Sequence, residues 1–159
     1  MESVKKKRTA KKTSPEIAAK IIKKYEGFMP EAYICPGGVP TIGYGSTMYE
    51  NGDRVAMDDC KIDRKRGEEI LLYFIKEVEQ QVKSVLEVKL NNNQLAALVS
   101  LTYNIGIGNF GRSTLLAWIN SNPSYSEIPS QFRRWKKSGG KVLKGLVARR
   151  EEEVELWLS

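Results

Sequence analysis

From Leu95 to Ile105 the chain reads LAALVSLTYNI, and Leu95, Ala96, Ala97, Leu98, Val99, Leu101 and Tyr103 leave almost no face of a helix polar. A surface helix shows one apolar stripe to its core, whereas a helix that is apolar nearly all round must be enclosed by other elements. This stretch predicts a helix at the middle of a helical lobe. Asn91, with Gln94 three residues later, resembles a capping box that opens it. A chain of 159 residues can supply the enclosure, since a domain of this size buries roughly 68–70% of the surface its unfolded chain exposes.

The flanking segments show what encloses it. Ser14 reads as an N-cap and Pro15 as a first helical residue, followed by Ile17, Ala18, Ile21, Ile22 and Tyr25 on one face, with Gly27 as the stop after Glu26. Asp63 caps a second helix in which Ile70, Leu71, Phe74, Ile75, Val78 and Val82 recur at helical spacing; its roughly 20 residues span about 30 Å. Between the two, from Phe28 to Val55, short β-prone pieces are punctuated by proline and glycine. Asn51-Gly52 signals a hairpin between Met48-Tyr49 and Arg54-Val55. Later helices are predicted at Thr114 to Asn120 behind a Ser113 cap, at about Ile128 to Lys137, and from Leu146 to Leu158 after a break at Ser138-Gly139-Gly140. The expected fold class is α+β: a small antiparallel β lobe over about 28–62, a larger helical lobe over about 63–159 plus the helix 14–27, a long connecting helix, and a cleft between the lobes.

The chain has no histidine, which excludes Ser-His-Asp and Cys-His nucleophilic sites and histidine zinc sites. Acid–base chemistry falls to carboxylates, cysteine, lysine or tyrosine. Cys35 and Cys60 lack metal-knuckle spacing and read as free thiols, although a Cys35–Cys60 disulfide blocking an active thiol stays open as a redox switch. No metal and no cofactor are called for. Of the net charge of +7, residues 1–13 hold +5, from six lysines and arginines against Glu2, so the arm is basic and the body nearly balanced. That arm is expected to be disordered, either solubilising the chain or touching an anionic wall, membrane or nucleic acid. It has no apolar stretch of secretory-signal type, and the chain is expected to stay in the cytoplasm until released.

The stretch Glu26 to Gly45, EGFMPEAYICPGGVPTIGYG, concentrates reactive and backbone-permissive residues. Glu26 closes a helix, where the dipole disfavours ionisation of a carboxylate, while Lys23 and Lys24 act in the opposite sense. Thr41 by itself is equally a β-branched strand residue, and Gly43 and Gly45 either admit a ligand closely or kink a strand. Gly106 to Gly111 matches GxGxxG by letter but follows a helix without a βαβ pattern, so a tight turn between helices is expected there and not a dinucleotide site. In the basic run Arg133, Arg134, Lys136, Lys137, Lys141 and Lys144, the interleaved Phe132 and Trp135 are expected to face the core and the charges to face outward.

Glu26-Gly27, then Cys35, then Thr41 inside Thr-Ile-Gly-Tyr-Gly resembles the active-site signature of the phage-type lysozymes, the endolysins of glycoside hydrolase family 24. The similarity continues through Asn93 to Ser100, Tyr103-Asn104-Ile105-Gly106, Ser113 to Leu116, Trp135, Gly139 to Leu143, Gly145-Leu146 and Arg149-Arg150-Glu151, from about Pro15 to Trp157. It implies a lysozyme-like domain that cuts peptidoglycan between N-acetylmuramic acid and N-acetylglucosamine as a monomer. Glu26 would be the general acid, Cys35 would stand where most members carry an aspartate, and Thr41 would help hold the attacking water. Tyr33, Gly43, Tyr44, Gly45, Asn104 and Ser113 would line the substrate. It also hints that Arg149 or Arg150 pairs with Glu26, although either could belong to a solvated charge run. A catalytically weak or inactive wall-binding module is the alternative, because a thiol replaces the carboxylate.

Overall fold

The computed structural model describes residues 10–159, so most of the basic arm, residues 1–9, lies outside the described residues. In chain order the elements are α1 (Ser14–Glu26), β1 (Met29–Ile34), β2 (Pro40–Gly43), α2 (Arg64–Val85), α3 (Asn92–Ile105), α4 (Ile107–Gly111), α5 (Thr114–Ser121), α6 (Ile128–Arg133), β3 (Lys137–Ser138), β4 (Lys141–Val142) and α7 (Lys144–Leu158). It is a mixed helical fold with small antiparallel ladders.

Helix α3 is enclosed as its composition demands. Every residue from Leu95 to Thr102 is buried, and α1, α2 and α7 pack around it. Its start carries the capping box: Gln94 N–H donates to Asn91 Oδ1 at 2.8 Å, and Asn91 N–H donates back to Gln94 Oε1 at 3.1 Å. Phe110, Leu115, Ile119, Ile128 and Phe132 extend the same core, and Phe132 packs on Trp157 with ring centroids 5.7 Å apart. Phe132 faces inward, Trp135 is partly buried, and the six basic residues around them are exposed.

The β lobe is small. β1 pairs antiparallel with β2 in the register Tyr33↔Thr41 and Ile34↔Pro40, with an irregularity before Met29↔Gly43. Isolated bridges Ile42↔Ser46 and Met48↔Arg54 continue it around the Asn51-Gly52 turn. A glycine on α2 lets this lobe approach the helices: a Cβ on Gly67 would lie 2.8 Å from Phe28 Cε2 and 3.3 Å from Tyr44 Cε2. Glycine inside a helix costs about 1 kcal/mol against alanine, and here no larger residue fits.

Three boundaries differ from the sequence expectation. The N-cap of α1 is Thr13, one residue earlier than Ser14; Ser14 is freed to donate its buried hydroxyl to Glu79 Oε2 at 2.7 Å, tying α1 to α2. α6 stops at Arg133, because Lys137–Ser138 and Lys141–Val142 peel off as a hairpin. Gly139 (φ 55) and Gly140 (φ 78) supply the two successive positive φ angles such a turn needs, and α7 then begins at Lys144. The segment after Gly106 is a one-turn helix, Ile107–Gly111. Among the described residues no helix is long and apolar enough to cross a membrane.

Candidate active site

Glu26 ends α1 because Gly27 (φ 68) turns the chain out of the helix, its N–H still donating to Lys23 O at 3.1 Å. The Glu26 side chain is 28% exposed, and Arg149, 3% exposed, reaches its Oε1 through Nη1 at 3.1 Å. Arg149 is itself fixed by donating Nη2 to the Ser100 carbonyl at 3.0 Å. The carboxylate is thus held from the core side and open on the other.

The open side faces the β lobe. Gly45 (φ 80) lies so close that a Cβ built on it would come within 2.8 Å of Glu26 Oε2. An alanine there meets both a backbone conformation it resists and the acid's own oxygen. Gly45→Ala is expected to cost about 1–3 kcal/mol and to displace Glu26. Denaturant unfolding beside a lysis rate checks this, and an alanine variant matching wild type in both would contradict the packing.

Cys35, Thr41 and Tyr33 gather at the far end of the β1–β2 ladder. The loop after Cys35 folds back, with Cys35 N–H donating to Val39 O at 3.1 Å and Gly38 N–H to Cys35 O at 2.8 Å. The Val39 backbone, the Thr41 hydroxyl and the Gly37 backbone together favour the thiolate and lower the Cys35 pKa from its ordinary value, although partial burial opposes them. The Thr41 hydroxyl also donates to Val39 O at 2.9 Å. Burial first, then the charges of Cys35 and Glu26, push the Tyr33 phenol up. On the helical wall, burial first and Glu26 second push Tyr103 up to about 12.

Not every expected substrate residue is presented to the cleft. Tyr44 is only 4% exposed and packs on Phe28 with ring centroids 5.2 Å apart, so it serves the core. Gly43 is buried as well; its missing side chain makes room for Ile62 Cδ1, 3.2 Å from a built Cβ. Ser113 caps α5, accepting from Leu116 N–H at 3.1 Å and donating to Phe110 O at 2.6 Å. It also lines a cavity of about 440 Å³ with Asn109, Arg112, Gln131, Arg134 and Trp135. Asn104 is exposed near the end of α3. Cys60 is exposed and Cys35 partly buried, both as free thiols.

What the sequence reading missed is the layer behind Glu26. Glu153, fully buried, accepts from Ser100 Oγ and from Arg150 Nη2, each at 2.8 Å, and Arg149 Nε lies 3.4 Å from its Oε1. The legible signal was Ser100, one of two hydroxyl residues in the buried run Leu95 to Thr102, since buried polar groups are usually hydrogen-bonded.

A helix-end carboxylate set against a two-stranded ladder, with a helical lobe behind it, defines a lysozyme-like fold. The model of the phage lysozyme family matches residues 23–153, and the chain belongs to that family. It is 38% identical to the endolysin of Salmonella phage P22 over 138 residues, covering 87% of this chain and 92% of that one. The endolysin of Bacillus phage B103 is 35% identical over 139 residues, 87% of this chain but 51% of the relative, so the chain spans about half the length of that protein. Among solved structures, the endolysin from Escherichia coli O157:H7 phage FAHEc1 superposes with a TM-score of 0.82 at 30% identity, covering 94% of this chain and 96% of that one.

Proposed function

We propose that the chain is an endolysin-like muramidase that hydrolyses the glycosidic bond between N-acetylmuramic acid and N-acetylglucosamine in peptidoglycan. The observation that carries this reading is Glu26, gripped from behind by Arg149 at 3.1 Å and open toward the lobe that bears Cys35 and Thr41. Glycoside hydrolysis needs a proton donor on the leaving oxygen and a second group that activates water or stabilises oxocarbenium-like charge. Glu26 gives its proton to the glycosidic oxygen as the C–O bond breaks. Water adds to the anomeric carbon, steadied by Thr41 and by the Cys35 sulfur as thiolate, and its proton restores the acid. The chain acts as a monomer on the wall after the membrane is breached, and its basic arm contacts the anionic polymer. Purified protein added to permeabilised bacteria should clear the suspension and release new reducing ends. Binding to the walls without clearing would instead identify a wall-binding module.

The role of Cys35 makes its own prediction. Because Val39, Thr41 and Gly37 lower its pKa, Cys35 should ionise at lower pH than a free thiol. The lysis rate should then rise with pH through that lowered value. In a Cys60→Ser background, alkylation of Cys35 by iodoacetamide should show the same midpoint, and Thr41→Val should move both upward. An alkylation midpoint at the ordinary thiol value, unmoved by Thr41→Val, would remove the thiolate from the mechanism. Full activity in Cys35→Ala would remove the residue altogether.

A further inference from the structure

Arg150 is only 1% exposed, yet it spends a donor on an exposed side chain: its Nη1 reaches Asn104 Oδ1 at 2.9 Å and the Trp135 carbonyl at 3.3 Å. Its other side is locked by Glu153, with Nη2 donating to Oε1 at 2.8 Å and Nε lying 2.7 Å from Oε2. A guanidinium has five donors and no acceptor, so the group that meets it must be the amide oxygen of Asn104. Both donors of Asn104 Nδ2 are then directed away from the arginine, on the exposed side of α3. The Arg150–Asn104 contact adjoins two features of the site. Arg149, next to Arg150 in α7, holds Glu26, and Trp135, whose carbonyl shares the Arg150 donor, lines the cavity of about 440 Å³. Such an arrangement is costly to keep: burial pushes the Arg150 pKa down and that of Glu153 up against their mutual attraction. Buried ion pairs are commonly replaceable by apolar residues without loss of stability, so stability alone does not account for the array.

We propose that Arg150 is a positioning residue that fixes the Asn104 amide with its oxygen inward, so that its two N–H donors are presented to an acetamido or carboxylate oxygen of the bound glycan strand. This rests on the muramidase reading for the ligand class. Asn104→Asp isolates the proposal, since it keeps and strengthens the contact with Arg150 while replacing the outward donors with an acceptor. Asn104→Asp and Asn104→Ala should each weaken glycan binding about tenfold, the loss of one well-placed hydrogen bond. Arg150→Gln should do the same, and Arg150→Gln with Asn104→Ala should be no weaker than either alone, because one acts through the other.

Affinity is best measured by calorimetry in the Glu26→Gln background, with chito-oligosaccharides in one arm and N-acetylmuramic-acid-containing fragments in the other. A loss in both arms identifies an acetamido oxygen, and a loss confined to the second identifies the lactyl carboxylate. Asn104→Asp binding as tightly as its parent, multiplicative effects in the double variant, or no binding of either glycan would overturn the proposal. Wild type that fails to clear cells while the Asn104 dependence of binding persists would sink the hydrolase reading alone.

Discussion

Glu26→Gln is expected to lower the rate of peptidoglycan cleavage by about 10²–10⁴-fold, the usual contribution of a positioned general acid, while leaving the protein folded. The substitution is nearly isosteric, and its amide oxygen can still accept from Arg149 Nη1, which lies 3.1 Å from Glu26 Oε1. What disappears is the transferable proton. Arg149 keeps the Ser100 carbonyl at 3.0 Å and the Glu153 carboxylate at 3.4 Å, so it is not stranded. The stability loss should therefore stay within about 1.5–3 kcal/mol, the weight of one hydrogen bond to a charged group. Reducing-end release beside denaturant unfolding separates the two effects. A variant that cleaves at a tenth of the wild-type rate or faster would remove Glu26 from the role of acid.

The opposite pattern is expected of Glu153→Ala. This carboxylate is fully buried and serves Arg149, Arg150 and Ser100 together. Its removal leaves two guanidinium groups, 3% and 1% exposed, without their shared counter-charge. Breaking a buried pair from one side costs about 3–5 kcal/mol, against a total stability of about 5–15 kcal/mol for ordinary domains. The midpoint of urea unfolding should fall accordingly, and activity should fall with it because Arg149 no longer holds Glu26. Glu153→Gln should lose less, since its amide oxygen still accepts from Ser100 and from Arg150 Nη2, while its NH2 is left facing Arg150 Nε. A Glu153→Ala variant within about 1 kcal/mol of wild type would mean that the arginines find other partners or leave the core.

The main elements were legible because their signals were local. An apolar helix with a capping box, an Asp63 cap whose side chain accepts from Arg66 N–H at 2.8 Å, and an Asn-Gly turn at φ 91 are each written in a few adjacent residues. The β3–β4 hairpin escaped because each strand is two residues long, too short for any alternation to register. The Glu26 environment was half legible. The acid and its helix stop are adjacent in sequence, and the family resemblance named Cys35 and Thr41. The positions of Tyr44 and Gly43 in the core were not legible, because TIGYG reads the same whether its aromatic ring packs on Phe28 or faces a sugar. The Arg150–Glu153–Asn104 array could not be read because it joins the end of one helix to the middle of another, and charged residues in a terminal helix resemble a solvated face.

The contact between Glu26 and Arg149 spans 123 positions. A ribosome therefore makes Glu26 early and the residue that holds it only after most of the helical lobe has been threaded, and at about 5–20 residues per second that interval lasts about 6–25 seconds. Through it, α1 has neither Arg149 to orient its carboxylate nor α7 to close the core behind α3. A nascent chain thus carries Glu26 without the site proposed around it, and the competence proposed for that site arrives late, as a by-product of where in the message the last wall of the core is encoded.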